Sequence, residues 1–351
     1  MMLAQATGGG AYSLSLAAII AVIYLALVRL MDLNEKEPLW AVGLMFLMGA
    51  VLAAILSLLV SSTVLEPSTL WGAVADESAK FFAFVLGAAA LLAVARSRGW
   101  SEINGLMDGV VYGTAVGLGF ATGETFVREL SFGALLSGEV FGAGPVATLW
   151  TAALTGLSDG LFGGVIGAGF GAAVGARSVL QRIGYPIAGL IGAILVHALY
   201  TLLAEGNALG GSAGLIRAWI ALIIPILFVV GVVVVALARE RRTIQEELSG
   251  EAQSGVVTDE DLAVLKSFSA RRSQYIKALT KGDFDGWLTM RELHSRQVQL
   301  ALVKRRVSQQ SDPEGKAASE AEVERLRASV LGMKRRLESL EQPPGSREAG
   351  V

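Results

Sequence analysis

Trp71–Val94, WGAVADESAKFFAFVLGAAALLAV, is long and apolar enough to cross a bilayer, yet it carries Asp76, Glu77 and Lys80 within little more than one helical turn. Ionisable side chains at membrane depth are costly, so they mark either a functional site or a tight internal pairing. On a helix Asp76 and Glu77 stand four and three residues before Lys80, and either carboxylate can reach the ammonium. Partners for these groups have to come from the other apolar segments.

Those segments are plentiful. The chain has 351 residues, 53% of them hydrophobic, with a mean hydropathy of +0.56, and its charges are concentrated outside the apolar runs. That balance excludes an ordinary globular enzyme and predicts an all-α polytopic membrane bundle with a polar carboxy-terminal appendage. A bilayer core of roughly 30 Å takes about 20 apolar residues per helical span. Runs of that kind lie near Ser13–Leu30, Leu39–Ser61, Leu70–Val94, Met107–Arg128, Val146–Ala176, Ile183–Ala204 and Ala213–Ala238, which predicts about seven spans. The fifth is long and rich in glycine, as a tilted or broken span would be.

With the spans assigned alternately, one side receives Arg29, Lys36, Arg96, Arg98, Arg177, Arg182, Arg239, Arg241 and Arg242, and the other receives Arg128 and Arg217. The positive-inside rule then predicts an outside amino terminus, a cytoplasmic carboxy-terminal tail and a multi-pass protein of the cell membrane. The start, MMLAQATGGG, has no basic region and no small-residue cleavage site follows the first span, so that span is expected to be retained. With no cysteine there is no disulfide or thiolate chemistry. The balance of 29 basic and 31 acidic residues gives no signal for nucleic acid.

Depth can be counted at about 1.5 Å of rise per residue. Glu77 falls roughly 10 Å below the outer boundary on an inward-running helix, and Glu124 about a turn before the end of an outward-running one. His197 falls roughly 10 Å below the same boundary on a third helix, whereas Asp159 is expected deeper, nearer the midplane. Three helices thus bring Asp76, Glu77, Glu124 and His197 to one layer. Carboxylates gathered in low dielectric can divide into one base and one acid. Water held between a carboxylate and an imidazole is then a nucleophile for amide hydrolysis, with or without a metal. Spacing alone leaves three readings open: catalysis, transport of protons or a small solute, and structural pairing.

At these residues the chain resembles the PrsW family of intramembrane proteases, part of the group that contains the CAAX-processing and Abi-type membrane proteases. Asp76-Glu77-Ser78-Ala79-Lys80 is similar to the family's Glu-Glu-x-x-Lys, with Asp in place of the first Glu. Asp108-Gly109-Val110-Val111-Tyr112-Gly113, continuing through Gly117-Leu118-Gly119-Phe120 to Glu124, matches its Asp-Gly-x-x-Tyr-Gly-x-x-x-Gly-x-Gly-Phe-x-x-x-Glu helix. His197-Ala198-Leu199-Tyr200 matches its late histidine motif, and the likeness extends from about Glu35 to about Arg239.

The resemblance implies an intramembrane endopeptidase domain over residues 1–239 and a helical tail, partly disordered, over residues 240–351. Glu77 would activate water beside Asp76. Glu124 and His197 would position that water and stabilise the oxyanion, with Lys80, Asp108 and Asp159 in support. The metal requirement stays open: either none, or a divalent ion such as zinc on Glu77, Glu124 and His197. The partners implied are the lipid bilayer and a membrane protein or peptide, such as a membrane-anchored anti-sigma factor, with no nucleic acid. One departure stands out. Where the family keeps a second histidine, in Pro-x-His-x-x-Trp-Thr-Ala, this chain reads Pro145-Val146-Ala147-Thr148-Leu149-Trp150-Thr151-Ala152, and its only other histidine is His294. A pseudoprotease that binds membrane peptides without cutting them is therefore the alternative.

Other patterns carry less. Gly117-x-Gly119 with Gly123 lies in an apolar helix and follows no strand, so it is no dinucleotide loop. Gly109, Gly113 and Gly117 at spacing four form a small-residue face, as do Gly160, Gly163, Gly164, Gly167 and Gly171, and such faces let helices approach closely. Lys281–Glu292, KGDFDGWLTMRE, has the outline of a calcium loop, but Lys281 stands where the first carboxylate ligand belongs, so a solvated turn is expected. After Arg239, short amphipathic helices are expected over Glu246–Ala252 and Thr258–Lys304, with a start capped by Thr258 or Asp259. A polar linker is expected over Ser308–Ala318, then an amphipathic helix over Glu320–Leu340 with Val323, Leu326, Val330, Met333, Leu337 and Leu340 on one face.

Overall fold

The computed structural model describes residues 2–31, 37–61, 69–98, 103, 105–130, 145–176, 178–205, 212–310 and 313–341. Among them every regular element is helical. The chain forms two compact units, one ending at Ala236 and the other beginning at Leu237.

The first unit contains α1 (Met2–Met31), α2 (Leu39–Leu47), a π-helical turn (Met48–Ala53), α3 (Ala54–Ser61), α4 (Thr69–Arg98), α5 (Leu106–Leu130), α6 (Pro145–Val174), α7 (Val179–Glu205), α8 (Ser212–Ala221) and the start of α9 (Ile223–Gln253). Five helical stretches are long and apolar enough to cross a membrane: Leu39–Leu56, Leu70–Val94, Ala152–Val174, Val179–Leu203 and Trp219–Ala252; Leu14–Arg29 is a shorter apolar stretch. Large aliphatic side chains cover the outer surface; on α7 alone, Val179, Leu180, Ile183 and Leu195 are well exposed. A surface of that composition needs hydrocarbon around it, and the chain is a polytopic all-α membrane protein.

The expected fourth span is the exception to the hydropathy pattern, for a physical reason. Helix α5 is the centre of the bundle, packed against α1, α2, the π-helical turn and α6. A helix wrapped by others can carry Asp108, Thr114 and Glu124, because its surroundings are protein instead of lipid. Its glycines set the spacing. A methyl group on Gly109, Gly113 or Gly117 would collide with the α6 backbone at Gly167, Gly163 and Asp159, respectively, and one on Gly119 or Gly123 would collide with Phe46 or Ala50. The two glycine faces expected from spacing pack against each other and bring the α5 and α6 backbones into contact, and Gly119 and Gly123, outside those faces, do the same toward Phe46 and Ala50.

The expected seventh span is two helices. Helix α8 stops at Ala221 and α9 restarts at Ile223, because Pro225 has no N–H to give the Ala221 carbonyl. From there α9 runs unbroken to Gln253, so the separate helix expected at Glu246–Ala252 is its continuation. Nothing in ALARERRTIQEEL stops a helix.

The second unit adds α10 (Asp259–Lys266), α11 (Phe268–Thr280), α12 (Phe284–Gln309) and α13 (Pro313–Glu341). Thr258 caps α10 in a reciprocal box with Asp261. The carboxylate of Asp283, in the calcium-loop look-alike, accepts from the Gly286 backbone N–H at 2.8 Å and starts α12, so it serves as a helix cap. The linker expected over Ser308–Ala318 is mostly helix, since Pro313 takes the first position of α13, where a missing N–H costs nothing. The amphipathic face of α13 is buried: Val323, Leu326 and Val330 join Ile244, Leu248, Leu262, Leu265, Leu293 and Val298 in one core, with Met333 and Leu337 packed against it. Glu251, nearly buried, receives Lys304 Nζ and Arg327 Nη2 at 2.6 Å each. Residues 237–341 thus form a folded unit with its own core. Of the end expected to be disordered, residues 341–351, Glu341 is the last residue of α13 and the rest lie outside the described residues.

Candidate active site

Glu77, in the middle of α4, is fully buried. Its Oε1 accepts from Lys80 Nζ at 2.7 Å and from His197 Nδ1–H at 2.8 Å, joining α4 to α7. The second proton of Lys80 goes to Asp159 Oδ1 of α6 at 2.5 Å. Glu77, Lys80, Asp159 and His197 therefore form one connected network across three helices. The other oxygen of Glu77, Oε2, is buried and has no hydrogen-bond partner among the described residues.

Aromatic rings close the site. Lys80 Nζ lies 4.6 Å from the Phe120 ring centroid and 5.6 Å from that of Phe162. The imidazole of His197 stacks on Phe162 with centroids 4.8 Å apart and 18° between planes. Phe162, Val165, Ile166 and Ala193, flanked by Phe81, Phe170 and Val196, form the apolar packing that holds α4, α6 and α7 together. Gly117 of α5 lies against the Asp159 carbonyl and lets α5 present Phe120 to Lys80.

The candidate residues divide as follows. Glu77 and His197 meet directly, as their shared depth implied. Asp76 is half-buried and near enough for its charge to act on Lys80. Glu124, also half-buried, acts likewise on Asp159. Asp159, expected nearer the midplane and apart from the others, belongs to the network because Lys80 spans the difference. Asp108 is buried near the other end of α5, sixteen residues or about 24 Å from Glu124, and lies in a different layer. The Ala147 side chain is outside the described residues. One buried polar pair joins a motif residue to one that the sequence did not single out: Tyr112 O–H donates to Glu37, and both side chains are buried. In the sequence Glu37 follows the polar run of residues 32–36, which gives no sign of burial.

A family model described as PrsW family intramembrane metalloprotease matches residues 37–238. The chain belongs to the PrsW family. No curated protein and no solved structure matches it. Like the family, it is a membrane protein with the features of an intramembrane protease.

The family's description implies a metal, and the donor set can be tested against one. Zinc takes nitrogen and oxygen ligands at about 2.0–2.2 Å in near-tetrahedral geometry. Here Glu77 Oε1 and Asp159 Oδ1 are both occupied by the Lys80 ammonium, and His197 Nδ1 faces Glu77 Oε1. No group of three His, Asp or Glu able to hold a metal exists among the described residues, and that includes Glu77, Glu124 and His197. The PrsW site in this chain, as arranged, does not fit a divalent ion.

Proposed function

We propose that this protein is a glutamate-dependent intramembrane endopeptidase that cleaves membrane-embedded or membrane-proximal peptide bonds. The observation that carries the reading is the asymmetry of Glu77. One carboxylate oxygen is held by Lys80 and His197, and the other is buried and without a partner among the described residues. A general base needs that arrangement, a fixed carboxylate with one oxygen left for water.

In the reaction, Glu77 Oε2 takes a proton from water and the oxygen of that water bonds to the scissile carbonyl carbon. The charge that develops on the carbonyl oxygen is stabilised by His197, with Lys80 supplying positive charge nearby. Glu77 then passes its proton to the leaving nitrogen as the C–N bond breaks, releasing a carboxyl and an amine terminus. Asp76 and Glu124 orient the water. The peptidase domain occupies residues 1–239 and residues 240–351 form an attached cytoplasmic unit, with the amino terminus outside. Its partners are the bilayer and a membrane-anchored protein, of which an anti-sigma factor is the type that the family resemblance suggests.

Ala147 favours a second reading, a pseudoprotease that retains peptide binding. Losing one polarising group from a concerted site costs orders of magnitude in rate while the other groups keep their contribution. The test is cleavage of a model transmembrane peptide by the purified protein in lipid. Slow cutting that Ala147→His accelerates and Glu77→Gln abolishes is the expected result. Peptide binding without cutting in either form would establish the pseudoprotease instead.

A further inference from the structure

The cation at the centre of this site is covalent. Lys80 Nζ is fully buried between two carboxylates, at 2.7 Å from Glu77 and 2.5 Å from Asp159, and beneath two phenylalanine faces at 4.6 and 5.6 Å. Carboxylates and ring faces together make an ammonium cage: the oxygens accept its N–H groups and the negative ring faces attract its charge. A ring face offers no lone pair to a divalent metal, so half of this lining is useless to zinc.

We propose that in this chain Lys80 is the resident cation of the site, in place of the divalent metal that the family's description implies, and that Asp159 is the positioning residue that holds it there. Asp159 acts through Lys80. By taking the second N–H of the ammonium it fixes Nζ against Glu77 Oε1, and that contact in turn leaves Oε2 as the oxygen facing the reaction. The inference sits on the peptidase reading but concerns the cation alone.

The experiment is zinc content. Purified wild type, Lys80→Met and Lys80→Met/Glu77→Gln are equilibrated with zinc in lipid nanodiscs, freed of excess and measured by elemental mass spectrometry, with helicity checked by circular dichroism. Wild type is expected to hold no zinc. Lys80→Met, which frees Glu77 Oε1 and Asp159 Oδ1 beside His197, is expected to gain one zinc per chain, and the double variant to lose it. One zinc on wild type that Glu77→Gln removes would overturn the proposal, and so would a folded Lys80→Met that stays empty. Zinc content is read without turnover, so a failed cleavage assay would count against the peptidase reading while leaving the ammonium in place.

Discussion

At the scale of single residues, Lys80 explains both what the sequence revealed about the site and what it hid. Glu77 and His197 were legible because a charge in an apolar span is conspicuous and rise per residue gives its depth. Asp159 was legible as a candidate but misplaced as a partner. Lys80 sits three residues past Glu77, about 4.5 Å further along α4, and its four-carbon stem reaches the layer where Asp159 lies. Backbone depth does not contain side-chain reach. A consequence follows for stability. Asp159→Asn leaves the buried ammonium with one carboxylate fewer, and breaking a buried ion pair from one side costs about 3–5 kcal/mol. Combining it with Lys80→Met, which removes the stranded charge, should recover most of that loss. Thermal unfolding in lipid nanodiscs checks this, and a double variant no more stable than Asp159→Asn would show that the pair is not the source of the loss.

At the scale of elements, the bundle is organised by α5 and its glycines. Spacing of four along the sequence marked Gly109, Gly113 and Gly117 as one face, but the match to Gly163, Gly167 and the Asp159 carbonyl on α6 could not be read without a register. The same limit hid the break before Pro225 and the run of α9 to Gln253, since hydropathy reports solvent and not hydrogen-bond continuity. Gly117→Ala places a methyl group into the Asp159 carbonyl and should destabilise by at least about 1–3 kcal/mol, the usual cost of overpacking. Gly332→Ala on α13, where an added carbon meets nothing within 4 Å, should instead stabilise by up to about 1 kcal/mol through helix propensity. Equal unfolding midpoints for the two variants would refute the close α5–α6 contact.

At the scale of the whole molecule, the chain is two separately packed units with differently built interiors. The first buries its polar groups in the bundle centre and turns aliphatic residues outward, whereas the second buries Ile244, Leu248, Val298 and Val330 in the manner of a soluble protein. Its pH response is carried in part by His294, which is buried against Tyr275 O–H at 2.9 Å and pushed down to about 4 by burial and by the charge of Arg271. A histidine with a folded value below its unfolded one, about 6.5, adds stability that is complete above pH 6.5. That stability is lost as pH falls toward 4, by at most about 3 kcal/mol. Urea unfolding of this unit, followed by Trp287 fluorescence, should show the slope between those limits, and His294→Gln should flatten it.

The central claim is that Glu77 and His197 act as one unit on peptide bonds. It is tested most directly by kcat/KM toward a transmembrane peptide for wild type, Glu77→Gln, His197→Ala and the double variant. Groups that act together lose their effect together, so each single variant should cost nearly as much as the double. Independent, multiplying losses, or cleavage that persists in Glu77→Gln, would contradict the account.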